Sequence, residues 1–576
     1  MNRIRCISSY TLSQRFVTCR SIRTMPLRKA SVHYITVPEK LEIHLTEVEN
    51  KICTLLHDCS EFLREKKRIS TTCRIAGGWV RDKLLGHQTN DMDVALSNIM
   101  GLAFAEHLRD FAHSKGVELG HITKIEQNPE QSKHLETATM KMFGMDIDLV
   151  NLRSEEYAVG SRIPTDVAFG TPLEDALRRD ITINALFYNV DSRVVEDFTE
   201  KGLHDLHHGI IRTPMPPLET FLDDPLRVLR CVRFASRFGF ELVPELKDAV
   251  KGRIVQEALI SKVARERVGD EVGKMITGPA PLHSAQIIHE LSLYHSIFSV
   301  VPPEVKESLS DQFLEQNPAD ALGAASILNA LLSPSQFPEL IPHSYLLSVV
   351  TVDSSCKARL FLAALLVPYM DLTYKDKKKK SNAVTTSVIR DSLKLGTQHH
   401  FLDGIPVLFS ALPLIKEHLK EHSDHPMTRV KLGLLLRDKL VHNMNTGNHW
   451  TTSLLFALVT DLEPFYDILK DSLDIDAASK VISSYNLLVD TIIHLGLQDD
   501  VESKPLLNGR DIRAAFGVAK AGPWIGKVLE DVIEWQLAHP SGTPDDCLQW
   551  LKGKDASSYI DSDESSEVPT KRLRTK

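Results

Sequence analysis

Asp91 and Asp93 stand two positions apart in the run Asn90-Asp91-Met92-Asp93-Val94-Ala95-Leu96. On an extended strand such residues point to the same face, with Cα atoms about 6.5 Å apart. Two carboxylates so placed repel each other unless a cation joins them, and Mg2+ is the usual solution. A pair of such ions suits phosphoryl chemistry, one activating an attacking hydroxyl and the other holding phosphates. Upstream, Arg74 to Gly86 supplies a second half for that chemistry. Arg74 to Ala76 suits a short strand, and Gly77-Gly78 removes side chains where the backbone must turn and meet something closely. Trp79 to Leu85 makes about two helical turns, with Gly86 as a left-handed cap. Free N–H groups at the mouth of that helix suit a triphosphate, and Arg81 adds a fixed charge one turn later. Either feature alone is ordinary, an acidic turn or a tight turn. Their order along the chain is what argues for a site.

Two further clusters follow. Arg178-Arg179-Asp180-Ile181-Thr182-Ile183-Asn184 joins an Arg-Arg-Asp group to an apolar-alternating run. Asp223-Asp224-Pro225 then precedes Arg227, Arg230 and Arg233, which recur every three residues. Asp224 before Pro225 is a favourable N-cap and first-turn pair, so the spacing predicts a helix with an arginine stripe on one side.

Taken together, Gly77-Gly78-x-Val80-Arg81-Asp82 with Asp91-x-Asp93 resembles the catalytic motif of the polymerase β-like nucleotidyltransferases. More narrowly, it resembles the class II branch that contains CCA-adding enzymes and bacterial-type poly(A) polymerases. The resemblance is specific over residues 74 to 275 and thin beyond. It implies template-independent nucleotide addition to RNA, with CTP and ATP as substrates, two Mg2+ ions held by Asp91 and Asp93, and tRNA lacking its 3′ CCA as partner. A third carboxylate is often placed on a neighbouring strand, and Asp146 and Asp148 are the candidates, Asp148 matching better. The Arg-Arg-Asp string is similar to a motif of ribose and phosphate binding, so Arg178, Arg179, Asp180 and Asn184 inherit those roles, the choice between the two arginines left open. Asp224 and Arg227 match the family's base-reading acid and arginine, with Asp223 where many relatives carry Glu; Arg230 and Arg233 would face the triphosphate or brace the pair. Cytosine and adenine present an amine donor beside a ring-nitrogen acceptor, and uracil and guanine the reverse. An acid with an arginine therefore fits C and A. Arg265, Glu266 and Arg267 resemble a supporting motif behind that helix. The rival activity is poly(A) synthesis; a rival of another class is an inactive tRNA-binding protein.

The surrounding elements must position these groups. Residues 40 to 66 follow helical periodicity, and from 73 to 213 short alternating runs broken by Gly suggest a mixed sheet, with a hairpin over Thr137 to Val150 turning at Gly144. Glu126 to Lys133 reads as a mobile loop. After 216 strand texture disappears and helical periodicity runs to 553; Lys375 to Lys380 reads as a solvated loop. The fold class is therefore α+β, a small polymerase β-like mixed-sheet head followed by an all-α neck, body and tail. The expected division is a targeting segment at 1–38, a catalytic head at 39–215, a base-recognition neck at 216–290, a tRNA-binding body and tail at 291–553, and a disordered end at 554–576. The first 38 residues are rich in Arg and Ser and hold no acid before Glu39, the signature of a mitochondrial presequence, with Met25 as a second start. The cluster Lys571 to Arg574 suggests nuclear as well as cytoplasmic and mitochondrial residence. A net charge of −8 requires any RNA-binding charge to be local, and eight cysteines without a Cys-x-x-Cys pair argue against zinc and disulfides. In the C-terminal stretch, Leu506 to Asp511 with Gly522 to Gly526 resembles the C-terminal segment of related chains, which implies contact with the tRNA elbow; helix packing is the other reading.

Overall fold

In the computed structural model, which describes residues 23–28, 35–125, 137–157, 164–309 and 316–559, the acid pair lies on a strand, as its spacing requires. Helix α1 (Glu47–Phe62) begins at a capping box between Thr46 and Glu49. Residues 41–46 are not helical, so the expected start near 40 is corrected. Leu41, Ile43 and Leu45 alternate with polar residues and only continue the apolar pattern into the helix. Strand β1 (Cys73–Ala76) leads into helix α2 (Gly78–Leu84), followed by β2 (Asp91–Leu96) and α3 (Gly101–Ser114). Next come β3 (Ile122–Ile125), β4 (Thr137–Met142) and β5 (Met145–Asn151). Phe143 and Gly144, both at positive φ, make the expected two-residue turn between β4 and β5. The loop read at Glu126 to Lys133 lies outside the described residues. Strands β6 (Arg153–Tyr157) and β7 (Pro164–Phe169) form a separate ribbon, and the capped helix α4 (Pro172–Leu177) precedes β8 (Phe187–Asn189) and β9 (Val195–Glu196).

The sheet order is β9-β8-β1-β2-β5-β4-β3, with β2 and β5 its parallel neighbours. One face carries Ile75, Val94, Ile147 and Leu149 into the main core under α1 and α3. The opposite face is apolar at one end, where Ala76, Ala95, Ala185 and Phe187 meet Ala176 of α4. It is acidic at the other end. The site sits where that apolar patch stops.

Beyond the head the chain is helical, with α5 (Pro217–Asp223), α6 (Leu226–Phe238) and α7 (Arg265–Ile276) nearest the site. Strand is not absent there, contrary to expectation. Thr373–Lys375 and Ser381–Ala383 form a hairpin whose turn is the lysine run, exposed, with Asp376 accepting from the amides of Lys378 and Lys380 at 2.9 Å. Thr24–Met25 pairs with Ser472–Asp474, so part of the expected targeting segment is built into the fold. Helix α7 meets the body backbone to backbone. A Cβ at Gly269 would lie 1.7 Å from the Leu393 carbonyl oxygen, which only glycine avoids. The C-terminal helices enclose a small core of their own around Ile512, Trp524, Val528 and Cys547.

Candidate active site

Strand register decides which side chains meet. Ala76 pairs with Asp93 across β1 and β2 and with Phe187 across β1 and β8. Asp93 pairs with Asp148 in the parallel ladder, and Asp148 with Thr139 on β4. Paired residues share a face, so Phe187, Ala76, Asp93, Asp148 and Thr139 form one row. Asp91 and Asp146 make the next pair along that face. Thr139 Oγ1 donates to Asp148 Oδ1 at 2.6 Å, while Lys141 Nζ lies 3.7 Å from Asp146 Oδ1. Asp148 is thus the carboxylate beside Asp93. The Asp93 side chain is exposed, and the groups around its carboxyl set its charge. Desolvation raises its pKa to about 6, the Arg179 charge opposing this and the Asp148, Asp91 and Asp175 charges adding to it.

The double glycine turns as its sequence demands. Gly77 has φ +73° and ψ −127°, and a Cβ there would lie 2.9 Å from Arg179 Nη1. A Cβ at Gly78 would meet Arg81 Nη2 at an ordinary 3.5 Å, so only the first glycine is obligatory. Helix α2 spans only seven residues, so its free amides and nearby guanidiniums, more than a macrodipole, favour an anion.

The two arginines after α4 share one buried carboxylate. Arg178 donates Nε to Asp175 Oδ1 at 2.9 Å and also bonds it through Nη2. Arg179 donates Nε and Nη2 to Asp175 Oδ2 at 3.1 and 2.9 Å. Arg179 further donates Nη1 to the Asn184 carbonyl at 3.2 Å and lies 5.2 Å over the Phe187 ring. Burial works to raise the Asp175 pKa, but Arg179 and Arg178 overturn this and hold it below the usual carboxylate range. Of the pair, Arg179 stands against Gly77 and within the field of Asp93.

Arg81 stands behind the glycine turn, with Nη2 3.5 Å from the position of a Cβ at Gly78, and is held there by partners of its own. It is buried, donates to Asn184 Oδ1 and Asp82 Oδ1, and stacks on Phe234 and Phe238 at 5.1 and 5.0 Å. Asn184 in turn donates to Asp180 Oδ1 at 3.1 Å. Burial opposes ionisation of Asp180, yet Arg230, Asn184 and Arg227 bring it down to about 2.

The arginine stripe of α6 faces the head and α7. Arg230 donates Nε to Asp180 Oδ2 at 2.7 Å, and Arg233 donates Nε to Glu271 Oε2 at 2.5 Å. Arg227 donates to two main-chain oxygens, of Thr220 at 3.3 Å and of Arg178 at 2.6 Å. The helix starts one residue later than predicted, with Pro225 at the cap, and Leu226 N donates to Asp224 Oδ1 at 3.2 Å. Asp224 and Arg227 meet through the backbone, Arg227 N donating to the Asp224 carbonyl at 3.0 Å, while their side chains take other partners. Asp224 Oδ2 instead accepts from Arg267 Nη2 at 2.8 Å. Asp223, the last residue of α5, is half-buried. Arg265 clamps α7 to the body, donating to Ser392 O at 2.7 Å, to Ser296 O at 3.1 Å and to Ile297 O. Glu266 is exposed and acts on the neighbouring Arg265 through its charge, while the buried acid of this helix is Glu271.

Asp175, Thr139, Glu271, Phe234 and Phe238 were missed in the sequence. A signal existed for Asp175, three and four residues before the arginines. Glu271, Phe234 and Phe238 meet Arg233 and Arg81 across long sequence separations, whereas Thr139 meets Asp148 across the predicted hairpin.

A nucleotidyltransferase-type head with a carboxylate row, joined to an arginine-lined helical neck, is the class that this geometry defines. Residues 73–212 match the family model of the poly A polymerase head domain, and 239–309 that of a probable RNA and SrmB-binding site of polymerase A. A mitochondrial CCA tRNA nucleotidyltransferase of Saccharomyces cerevisiae is 38% identical, covering 89% of this chain and 94% of the relative. The tRNA nucleotidyltransferase cca1 of Schizosaccharomyces pombe is 34% identical, covering 90% and 99%. The chain belongs to the CCA tRNA nucleotidyltransferase family. A CCA-adding enzyme in its apo form II shares the fold, with a TM-score of 0.57 and 19% identity over 87% of this chain and 95% of that one.

Proposed function

We propose that this chain completes tRNA 3′ ends with C, C and A, from CTP and ATP and without a nucleic-acid template. The observation that carries this is the register placing Asp91, Asp93 and Asp148 on one face, beside a glycine turn flanked by Arg179. CCA-adding enzymes of related fold have been solved with ATP, with CTP and with tRNA.

The residues present fit Mg2+. Its donors would be hard carboxylate oxygens of Asp91 and Asp93, with Asp148 alongside; desolvation first, then the Asp148 and Asp91 charges, raise the Asp93 pKa against the opposing charge of Arg179. Among the described residues no three His, Cys, Asp or Glu side chains form a closed ligand set, so phosphate oxygens and water would complete the coordination, as Mg2+ prefers. Two such ions, when bound, neutralise the triphosphate and acidify the attacking 3′ hydroxyl. The chain's own groups do the rest. Arg179 meets the triphosphate. Arg178, Asp180, Asn184, Arg81, Arg230 and Arg233 hold the neck against the head. Asp224 accepts from the exocyclic amine of C or A, aimed by Arg267, and Arg227 donates to the ring nitrogen with the guanidinium donors that its two carbonyl contacts leave over. A mispaired base leaves buried polar groups facing like polarity, at about 1 to 3 kcal/mol each.

The domain division read from the sequence is part of this proposal, except that 23–28 belongs to the fold. In the tail, Asn508, Gly509, Arg510, Arg513, Ala521 and Ile525 line an open cleft of about 480 Å3, and Arg510 and Arg513 suit a tRNA phosphate. The chain acts in the mitochondrion, in keeping with relatives from Saccharomyces cerevisiae and Candida glabrata that are named mitochondrial, and additionally in cytoplasm and nucleus, on the basic cluster Lys571 to Arg574. Among the described residues no helix is long and apolar enough to cross a membrane.

Incubation with tRNA lacking its 3′ end and each NTP, read as product length, tests the proposal. Three added residues from CTP and ATP are expected. A long A tail means poly(A) synthesis, and binding without extension means an inactive tRNA-binding protein.

A further inference from the structure

The structure assigns Asp175 as a positioning residue that aims Arg179 at the nucleotide and, through Arg178, ties that aim to the neck. The inference rests on the proposed nucleotide addition and extends it to a residue outside the motifs.

Asp175 is 1% exposed and touches no open part of the cleft, so it cannot meet substrate itself. Its two oxygens divide the arginine bonds, Oδ1 accepting from Arg178 and, at 3.5 Å, from the Arg153 amide, and Oδ2 from Arg179. A guanidinium on a flexible stem can swing widely, and a buried fork of charge-assisted bonds fixes both its plane and its reach. Phe187 beneath and the Asn184 carbonyl beside it leave Arg179 a single orientation, with Nη1 against the Gly77 turn. Two arginines crowded side by side would repel each other without the carboxylate between them. The same carboxylate fixes Arg178, whose carbonyl accepts from Arg227 Nη2 at 2.6 Å. One buried charge therefore joins the base-reading helix to the phosphate-facing arginine.

Asp175→Asn keeps the shape and removes the charge. With wild-type enzyme first shown to add three nucleotides, which secures the proposed function separately, the KM for CTP and for ATP in this variant should rise together by about tenfold, since a displaced fork loses charged contacts to phosphate. A role in folding alone would lower the melting temperature and the active fraction and leave KM unchanged. In an Arg179→Ala background, Asp175→Asn should raise KM by less than about a further twofold, because its effect on phosphate binding passes through the missing group. Should Asp175→Asn show no cooperative melt, Asp175→Glu, which keeps the charge and shifts it by one methylene, is expected to raise KM severalfold. Unchanged KM in the folded variant, or losses that multiply in the double variant, would overturn the assignment.

Discussion

Asp93 holds its proton more tightly than an ordinary aspartate, and this has consequences in opposite directions for stability and for catalysis. Its folded pKa of about 6 lies above the unfolded value of about 3.9. The folded chain therefore binds more protons between these pH values. Ionising Asp93 costs stability above about pH 6, and the cost disappears below about pH 4. A divalent ion would offset both the desolvation and the neighbouring carboxylate charges that raise this pKa. Thermal melts at pH 7.5 should show Asp93→Asn about 1–2 °C more stable than wild type without Mg2+, and added Mg2+ should stabilise wild type more than the variant. Below about pH 6, protons compete with the ion, so the apparent Mg2+ affinity should weaken toward tenfold per pH unit. For function the sign reverses. Asp91→Ala or Asp93→Ala should cut nucleotide incorporation by at least about 100-fold while tRNA binding survives, and near-normal turnover in both would remove the metal assignment.

At the scale of elements, the sequence was most legible where geometry is local. The Asp-x-Asp spacing, the glycine turn, the β4–β5 hairpin and the arginine helix all follow from periods and φ preferences within a dozen residues. Gly77→Ala tests the turn. Its φ and ψ lie outside the regions open to other residues, a cost of about 1–3 kcal/mol, and the added Cβ presses on Arg179. Urea melts should show that loss, with incorporation falling further than stability alone explains. Less legible was what the arginine stripe would face. Spacing placed Arg227, Arg230 and Arg233 together, but their partners, Asp180, Glu271 and the Arg178 carbonyl, come from other elements, so tertiary packing decided each contact. The same holds for Asp224, whose partner Arg267 lies on α7. If these groups form the base template, Asp224→Ala and Arg227→Ala should admit UTP or GTP, and Arg267→Ala should relax discrimination to a smaller extent by freeing Asp224. Unchanged nucleotide preference in all three, measured by single-nucleotide incorporation, would exclude a protein template.

Across the whole molecule, the beginning of the chain and a segment around Asp471 are tied together in a way that composition hid. A basic, acid-free start reads as a dispensable address, yet Leu27 is fully buried, and the amides of Leu27 and Arg28 donate to Asp471 Oδ1 at 2.9 and 3.2 Å. Arg28 Nη2 donates to the Ile468 carbonyl at 2.7 Å, and the Arg23 carbonyl accepts from Ile475 N at 2.9 Å. Periodicity could not show this, because two strand residues and one apolar anchor make no pattern, and their partners lie some 440 residues away. A start at Met25 keeps the anchor but drops Arg23 and its ion pair with Glu339. Presequence removal, in turn, is compatible with the fold only upstream of the strap. Leu27→Ala separates these roles. Losing a fully buried leucine costs about 2–5 kcal/mol where the site cannot collapse. Because so short a strap can detach without unfolding the body, the loss should appear first as protease cleavage near Arg28 and faster amide exchange at Leu473 and Ile475, with the main melt lowered less. If protection at Leu473 and Ile475 is unchanged in Leu27→Ala, the segment is only resting on the surface, and the address reading of residues 1–38 stands intact.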